Sequence, residues 1–124
     1  MHLDNNGPPA ISEAQVLTRA TIVAAERMGL DATTLAAVIG VSETSIARMK
    51  RFEELLRKGT PPCDRALLLI RLFRALHDGR DTVAACTWLQ KENPALGGRP
   101  VELITGTDGL CAVVELLHET RNDG

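Results

Sequence analysis

Side chains able to do chemistry are few and scattered in this chain of 124 residues. A catalyst needs a nucleophile, a base and a charge stabiliser that converge on one point. The three histidines are His2, His77 and His118, the last two at expected helix ends, and there is no tyrosine. Cys63, Cys86 and Cys111 are odd in number and far apart, with no Cys-x-x-Cys and no histidine at ligand spacing beside them. They read as structural thiols in a reducing compartment, not as a disulfide framework or a zinc site. Gly97-Gly98 lacks the strand before it and the Lys-Ser/Thr after it that a phosphate-binding loop requires, and Gly106 and Gly109 are also far from that motif. No catalytic residue, metal ligand or cofactor is assigned, and the chain is expected not to be an enzyme.

What remains is recognition. Ser42, Thr44, Ser45 and Arg48, followed by Lys50 and Arg51, set hydroxyls and cations at helical spacing, and such groups bond to phosphates and base edges. With 14 basic and 16 acidic residues the formal charge is −2, so the chain is not a generally cationic nucleic-acid binder. Any DNA contact must come from a local patch. Residues 44–58 supply one: Arg48, Lys50, Arg51, Arg57 and Lys58 against only Glu53 and Glu54. Glu43 is discordant, and would either accept from a cytosine or weaken binding.

The elements that must position these groups are helices. Hydrophobic residues make up 44% of the chain but aromatic ones only 2%. The core is therefore aliphatic, and without strand-like alternation it favours an all-α protein. Residues 1–11, with Asn5, Asn6, Gly7, Pro8 and Pro9, are expected to form a flexible tail. Ser12-Glu13-Ala14-Gln15 is a capping box, with Ile11 and Val16 placed for a hydrophobic staple. It opens a helix whose stripe is Leu17, Ala20, Ala24 and Met28, stopped by Gly29.

Asp31 caps the next helix, which Gly40 ends, and Ser42 caps another. Leu35, Ile39, Val41, Ile46 and Met49 are their shared core, and the small Ala36 stands at the crossing. This is the pattern of a helix-turn-helix of the Xre/Cro type, with the second helix offered to the major groove. Many helical hairpins carry Ala and Gly at these positions without touching DNA; the exposed Ser42–Arg51 face and the local positive charge favour the DNA reading. Phe52, Leu55 and Leu56 are expected to prolong the amphipathic pattern as far as Gly59.

Thr60-Pro61-Pro62 marks the clearest internal boundary, a cap followed by proline at a helix start. The helix to about His77 is apolar nearly all round, as befits the centre of a core or an interface. Asp81 caps a helix through Trp88 to about Lys91. Thr107 is expected to cap a last helix, Asp108 to about Glu119, with Leu110, Val113, Val114 and Leu117 inward and Arg121–Gly124 frayed.

One stretch organises the second half: Trp88-Leu89, then Asn93-Pro94-Ala95-Leu96-Gly97-Gly98-Arg99-Pro100, running into Val101-Glu102-Leu103-Ile104. A helix through Trp88 stops near Asn93, because the residue before a proline is pushed out of the α region. Pro100 suits the first turn of a new helix. Trp88 and Leu96 are expected to be largely buried and to pin the loop by burial, not by regular hydrogen bonding.

This stretch resembles the toxin-binding domain of the Xre/MbcA/ParS family of bacterial antitoxins. The resemblance implies an antitoxin of a type II toxin–antitoxin pair, whose partner is a RES-domain toxin that consumes NAD. It further implies that the C-terminal part blocks the toxin's active site. The helix-turn-helix then binds operator DNA and represses the shared operon, usually as a homodimer. On this reading the toxin contacts fall from about Arg80 onward: Arg80, Arg99, Glu102, Glu115, Glu119, Arg121 and Asp123. The acidic members would complement a basic cleft shaped for an anionic dinucleotide. Arg99 and Glu102 have a plainer reading as a salt link bracing the corner.

The expected fold is all-α: a flexible tail over 1–11, a helix-turn-helix DNA-binding region over 12–59 and a small helical toxin-binding domain over 60–124. With no signal peptide and no long apolar run, the expected location is the bacterial cytoplasm, away from membranes. Two other readings stay open. One is a stand-alone dimeric repressor whose second half only dimerises it or senses a ligand; the other is a helical adaptor that binds no DNA.

Overall fold

The computed structural model describes residues 12–123, with side chains described as far as Glu119. The expected tail, Ile11 of the staple, and the side chains of Arg121 and Asp123 lie outside the described residues. Among these residues the chain is all-α: α1 (Glu13–Arg27), α2 (Ala32–Ile39), α3 (Glu43–Lys50), α4 (Pro61–Leu76), α5 (Thr82–Gln90), α6 (Pro100–Leu103) and α7 (Thr107–Asp123).

Local chemistry sets the starts of these helices. The capping box is complete: Ser12 Oγ accepts from the Gln15 N–H at 3.1 Å, and Gln15 Oε1 accepts from the Ser12 N–H at 3.1 Å. Asp31 caps α2 through the Thr34 N–H at 2.8 Å, and Asp81 caps α5 through the Ala84 N–H at 2.8 Å. The bond to the Thr34 N–H, helped by one from the Thr34 side chain, holds the Asp31 carboxyl below its ordinary value. Ser42 Oγ caps α3 by accepting from the Ser45 N–H at 3.0 Å. Thr60 departs from expectation. It stands at the cap position of α4, but its hydroxyl donates back to the Arg57 carbonyl at 2.6 Å. Prolines 61 and 62 begin that helix instead, where a missing N–H costs nothing. Thr107 is already inside α7, which runs on through Asp123 past the expected end at Glu119.

α4 is the central element. It packs against α1 and α2 on the helix-turn-helix side and against α7 on the other. Leu69, Leu72 and Leu76 are fully enclosed, and one continuous core joins both halves of the chain. On α7, Leu110, Val113, Val114 and Leu117 are all buried, as their spacing predicts. α6 bridges α5 and α7. The approach of α7 to α6 is so close that a Cβ on Gly109 would collide with the Leu103 carbonyl oxygen and lie 2.8 Å from its carbon.

Three further expectations are corrected. α3 ends at Lys50 instead of continuing toward Gly59, because Phe52 adopts a left-handed conformation (φ 59°). The Glu53 N–H returns to the Arg48 carbonyl at 2.8 Å and the Phe52 N–H to Met49 at 3.1 Å, closing the helix as a Schellman motif. Glycine usually fills that position, so the sequence concealed the stop. Beyond it the chain is tied to α1: the buried Leu56 N–H donates to Thr18 Oγ1 at 2.9 Å.

The second correction concerns the buried face of α1, which includes Thr18, Thr21, Ile22 and Ala25 beside Ala24, while Leu17 and Ala20 are only half-buried. The two threonines are accommodated because their hydroxyls donate to the Ala14 and Leu17 carbonyls at 2.7 and 2.8 Å. The third lies at the organising loop. Trp88 and Leu96 are half-buried, and it is Leu89 that is fully enclosed. The loop is hydrogen-bonded around Asn93, whose carbonyl accepts from the Leu96 and Gly97 N–H groups at 3.0 and 2.9 Å. The Asn93 side chain accepts from the Ala95 N–H at 3.0 Å, and the Asn93 N–H donates to Gly98 at 2.9 Å.

Candidate functional site

The first site is the exposed face of α3. α2 ends at Gly40 in the left-handed region (φ 78°), and α3 starts two residues later at its Ser42 cap. The Arg65 guanidinium from α4 lies against Gly40, where a Cβ would collide with it. Ile46 and Met49 anchor α3 inward. Ser42, Thr44, Arg48, Lys50 and Arg51 are left exposed, with Ser45 half-buried. All six sequence-assigned DNA contacts therefore fall on one short helix and its caps.

They are not equally free. Ser45 donates to Glu54 Oε1 at 3.1 Å, and the Arg48 guanidinium is 4.0 Å from the same oxygen. Arg51 is held by both carboxylate oxygens of Glu53, at 3.1 and 3.2 Å. Glu53 and Glu54 are thus part of this face. Sequence reasoning counted them only as charge, because the turn at Phe52 that folds them back onto α3 was not visible. Among the described residues Lys50, Arg57 and Lys58 make no ion pair. Glu43 is exposed at the start of α3, where its charge favours the helix dipole.

The residues assigned to partner binding occupy three places. Arg80 is half-buried after α4; it donates to the Leu76 carbonyl at 3.3 Å, and its guanidinium carbon lies 5.8 Å from the Trp88 ring centroid. That distance is within cation–π reach of the ring.

Arg99 spans the corner between α5 and α6. Its Nε donates to the Gln90 carbonyl at 2.8 Å, one terminal nitrogen to the Gln90 side chain, and the other to Glu102 Oε2 at 3.2 Å. These bonds fit the bracing reading of that pair, and Gln90 is the participant the sequence did not reveal. Glu115 and Glu119 are exposed on α7, one turn apart, and line a shallow hollow of about 250 Å³ with Arg71, Val114 and His118. Of the assigned set, only these two are both described and free of a hydrogen bond or ion pair to the rest of the chain.

The three cysteines are free thiols, Cys63 buried and Cys86 and Cys111 half-buried. No described helix is long and apolar enough to cross a membrane.

An exposed, capped recognition-type helix on a small aliphatic scaffold, joined through α4 to a second helical unit with a charged outer helix, defines a helix-turn-helix protein with an appended interaction domain. Family comparison makes the class specific. The antitoxin Xre-like helix-turn-helix domain matches residues 9–74, more than half of the chain. The antitoxin Xre/MbcA/ParS C-terminal toxin-binding domain matches residues 69–122. The chain belongs to the Xre/MbcA/ParS antitoxin family: it is an Xre-type antitoxin of a toxin–antitoxin system, and neither of its domains is of a known enzyme family. The two matches overlap within α4, the helix both halves share. No curated protein matches the chain.

Proposed function

We propose that this antitoxin neutralises a RES-domain toxin that degrades NAD, by occluding its active site, and that it represses its own operon through α3 as a homodimer in the bacterial cytoplasm. The observation that carries the reading is the presence of both antitoxin domains on one chain, each with an exposed charged helix face.

DNA binding is assigned to residues 12–59, through Ser42, Thr44, Ser45, Arg48, Lys50 and Arg51. Toxin binding is assigned to residues 60–124. Within it Glu115 and Glu119 of α7 are the leading contacts, because a cleft that holds an anionic dinucleotide is basic and they are unpaired. Arg121 and Asp123, assigned from the sequence, belong to the same proposed set. Arg80, Arg99 and Glu102 complete the proposed set of toxin contacts.

Co-expression tests the neutralising half. A RES-domain toxin encoded beside this chain should deplete cellular NAD and arrest growth, and this protein should restore both. Glu115→Lys with Glu119→Lys should lose the rescue while keeping the parent's thermal melt. Failure of the unmodified protein to restore NAD would reject the RES assignment. Footprinting tests the other half: Arg48→Ala should weaken operator binding by about 1–3 kcal/mol if Arg48 reads a base. Protection equal to that of the parent would remove Arg48 from the interface.

A further inference from the structure

We propose that the groove between α1 and α4 is the surface on which a second copy of this chain docks, the two helix pairs lying antiparallel about a twofold axis. This rests on the homodimeric reading above and gives it a place in the fold. Val16 is 56% exposed and Leu67 52%, high values for large apolar side chains. With Leu17, Ala20 and Ile70 they line an open cavity of about 580 Å³. A second hollow of about 430 Å³ shares Glu13, Leu17 and Leu67 and continues past Leu56 and Cys63 to Lys58. The groove therefore follows α4 from Cys63 to Arg74 and the first half of α1, from Glu13 to Ala20.

Charge selects the occupant. Glu13 and Ala14 share the second hollow with Cys63, so the N-terminal ends of α1 and α4 lie together. Glu13 is thus at one end of the first cavity and Arg71 and Arg74 toward the other, all three exposed and without an ion pair among the described residues. A twofold axis across the strip sets Glu13 of one protomer against Arg71 and Arg74 of the other, and forms each pairing twice. The first cavity, acidic at its Glu13 end, basic at its Arg71 and Arg74 end and apolar between, is complementary to itself; Lys58 lies beyond Glu13, in the second hollow. The toxin fits less well, because one wall of the groove is α1, which lies outside the toxin-binding match at 69–122. The stretch of α4 from Cys63 to Arg74 gives a contact about 18 Å long. That is at the small end of specific interfaces, so the dimer is expected to be reversible and to tighten when two copies sit on adjacent half-sites.

Sedimentation velocity on the full chain across micromolar concentrations tests this. The parent should pass from monomer to dimer as concentration rises. Leu67→Arg should remain monomeric at concentrations where the parent is dimeric. Glu13→Arg and Arg74→Glu should each weaken the dimer by about two- to thirtyfold, since each breaks an exposed pair twice. Combining the two reversals should recover part of the loss, because Arg71 is left unreversed. Both charge sites are exposed, and melts equal to the parent's would establish that the variants are folded. A parent that stays monomeric would overturn the proposal, as would a Leu67→Arg dimer as tight as the parent's or reversals that fail to rescue one another. A normal Leu67→Arg dimer that no longer neutralises the toxin would also overturn it, by giving the groove to the toxin. Toxin rescue and operator footprinting are scored separately, so loss of this surface is distinguishable from failure of the antitoxin reading.

Discussion

Thr18 shows how much one hydroxyl can hold. It donates to the Ala14 carbonyl within α1 and accepts the buried Leu56 N–H across 38 positions of sequence. Thr18→Val keeps the shape but leaves that N–H without a partner, which costs about 1–3 kcal/mol. Thr18→Ser should recover most of the loss, and urea unfolding of the three proteins would show whether it does. Gly40 is the second sensitive position, because its left-handed backbone disfavours any side chain and the Arg65 guanidinium occupies the space a Cβ needs. Gly40→Ala should destabilise by at least ~1 kcal/mol. Its melting point should fall; an unchanged one would mean that the turn accepts a side chain.

At the scale of elements, the corner from α5 to α6 makes a ranking. Leu89 is fully enclosed while Trp88 is half-buried under Arg80. Leu89→Ala is expected to cost about 2–5 kcal/mol, and Trp88→Ala less than the ~3–5 kcal/mol of a fully buried tryptophan. The smaller residue should therefore matter at least as much, and paired denaturation curves in the reverse order would contradict this packing. The caps at Ser12, Asp31, Ser42 and Asp81 were legible in the sequence because each is a local rule between residues three apart. So was the inward face of α7, a matter of period alone. The stop at Phe52 was not legible, since an aromatic residue in a left-handed turn breaks the local preference. The Ser45–Glu54 and Arg99–Gln90 bonds were not legible either. Each joins residues nine apart whose meeting depends on how an intervening turn folds. The charged side chains of the site could be named from sequence, but not which of them the fold had already engaged.

The whole molecule turns on α4, which serves both halves at once. Truncation after Gly106 removes α7 and bares the side of α4 that α7 covers. The helix-turn-helix should still fold, because α1, α2 and α3 keep their mutual packing, but with a lower melting point than the full chain. Toxin rescue should vanish. A truncated protein that melts with the parent would show the halves to be energetically separate despite their common helix.

The carboxylates of Glu53 and Glu54 carry a further consequence for DNA binding. They act as built-in counterions for Arg51 and Arg48, so a guanidinium that turns to a phosphate breaks its own pair, and the freed carboxylate takes up a cation that offsets one released from the DNA. Ion release on binding should then be smaller than a count of basic residues near α3 implies, and affinity should fall more gently with added salt. Converting both to glutamine ought to tighten binding at low salt. It should also steepen the dependence of log K on log salt by about 0.9 for each guanidinium newly available to a phosphate. A slope unmoved by the exchange would mean that the two arginines leave their carboxylates only to remain in water. With the glutamates intact, the complex is poised to tolerate changes in ionic strength at the expense of raw affinity.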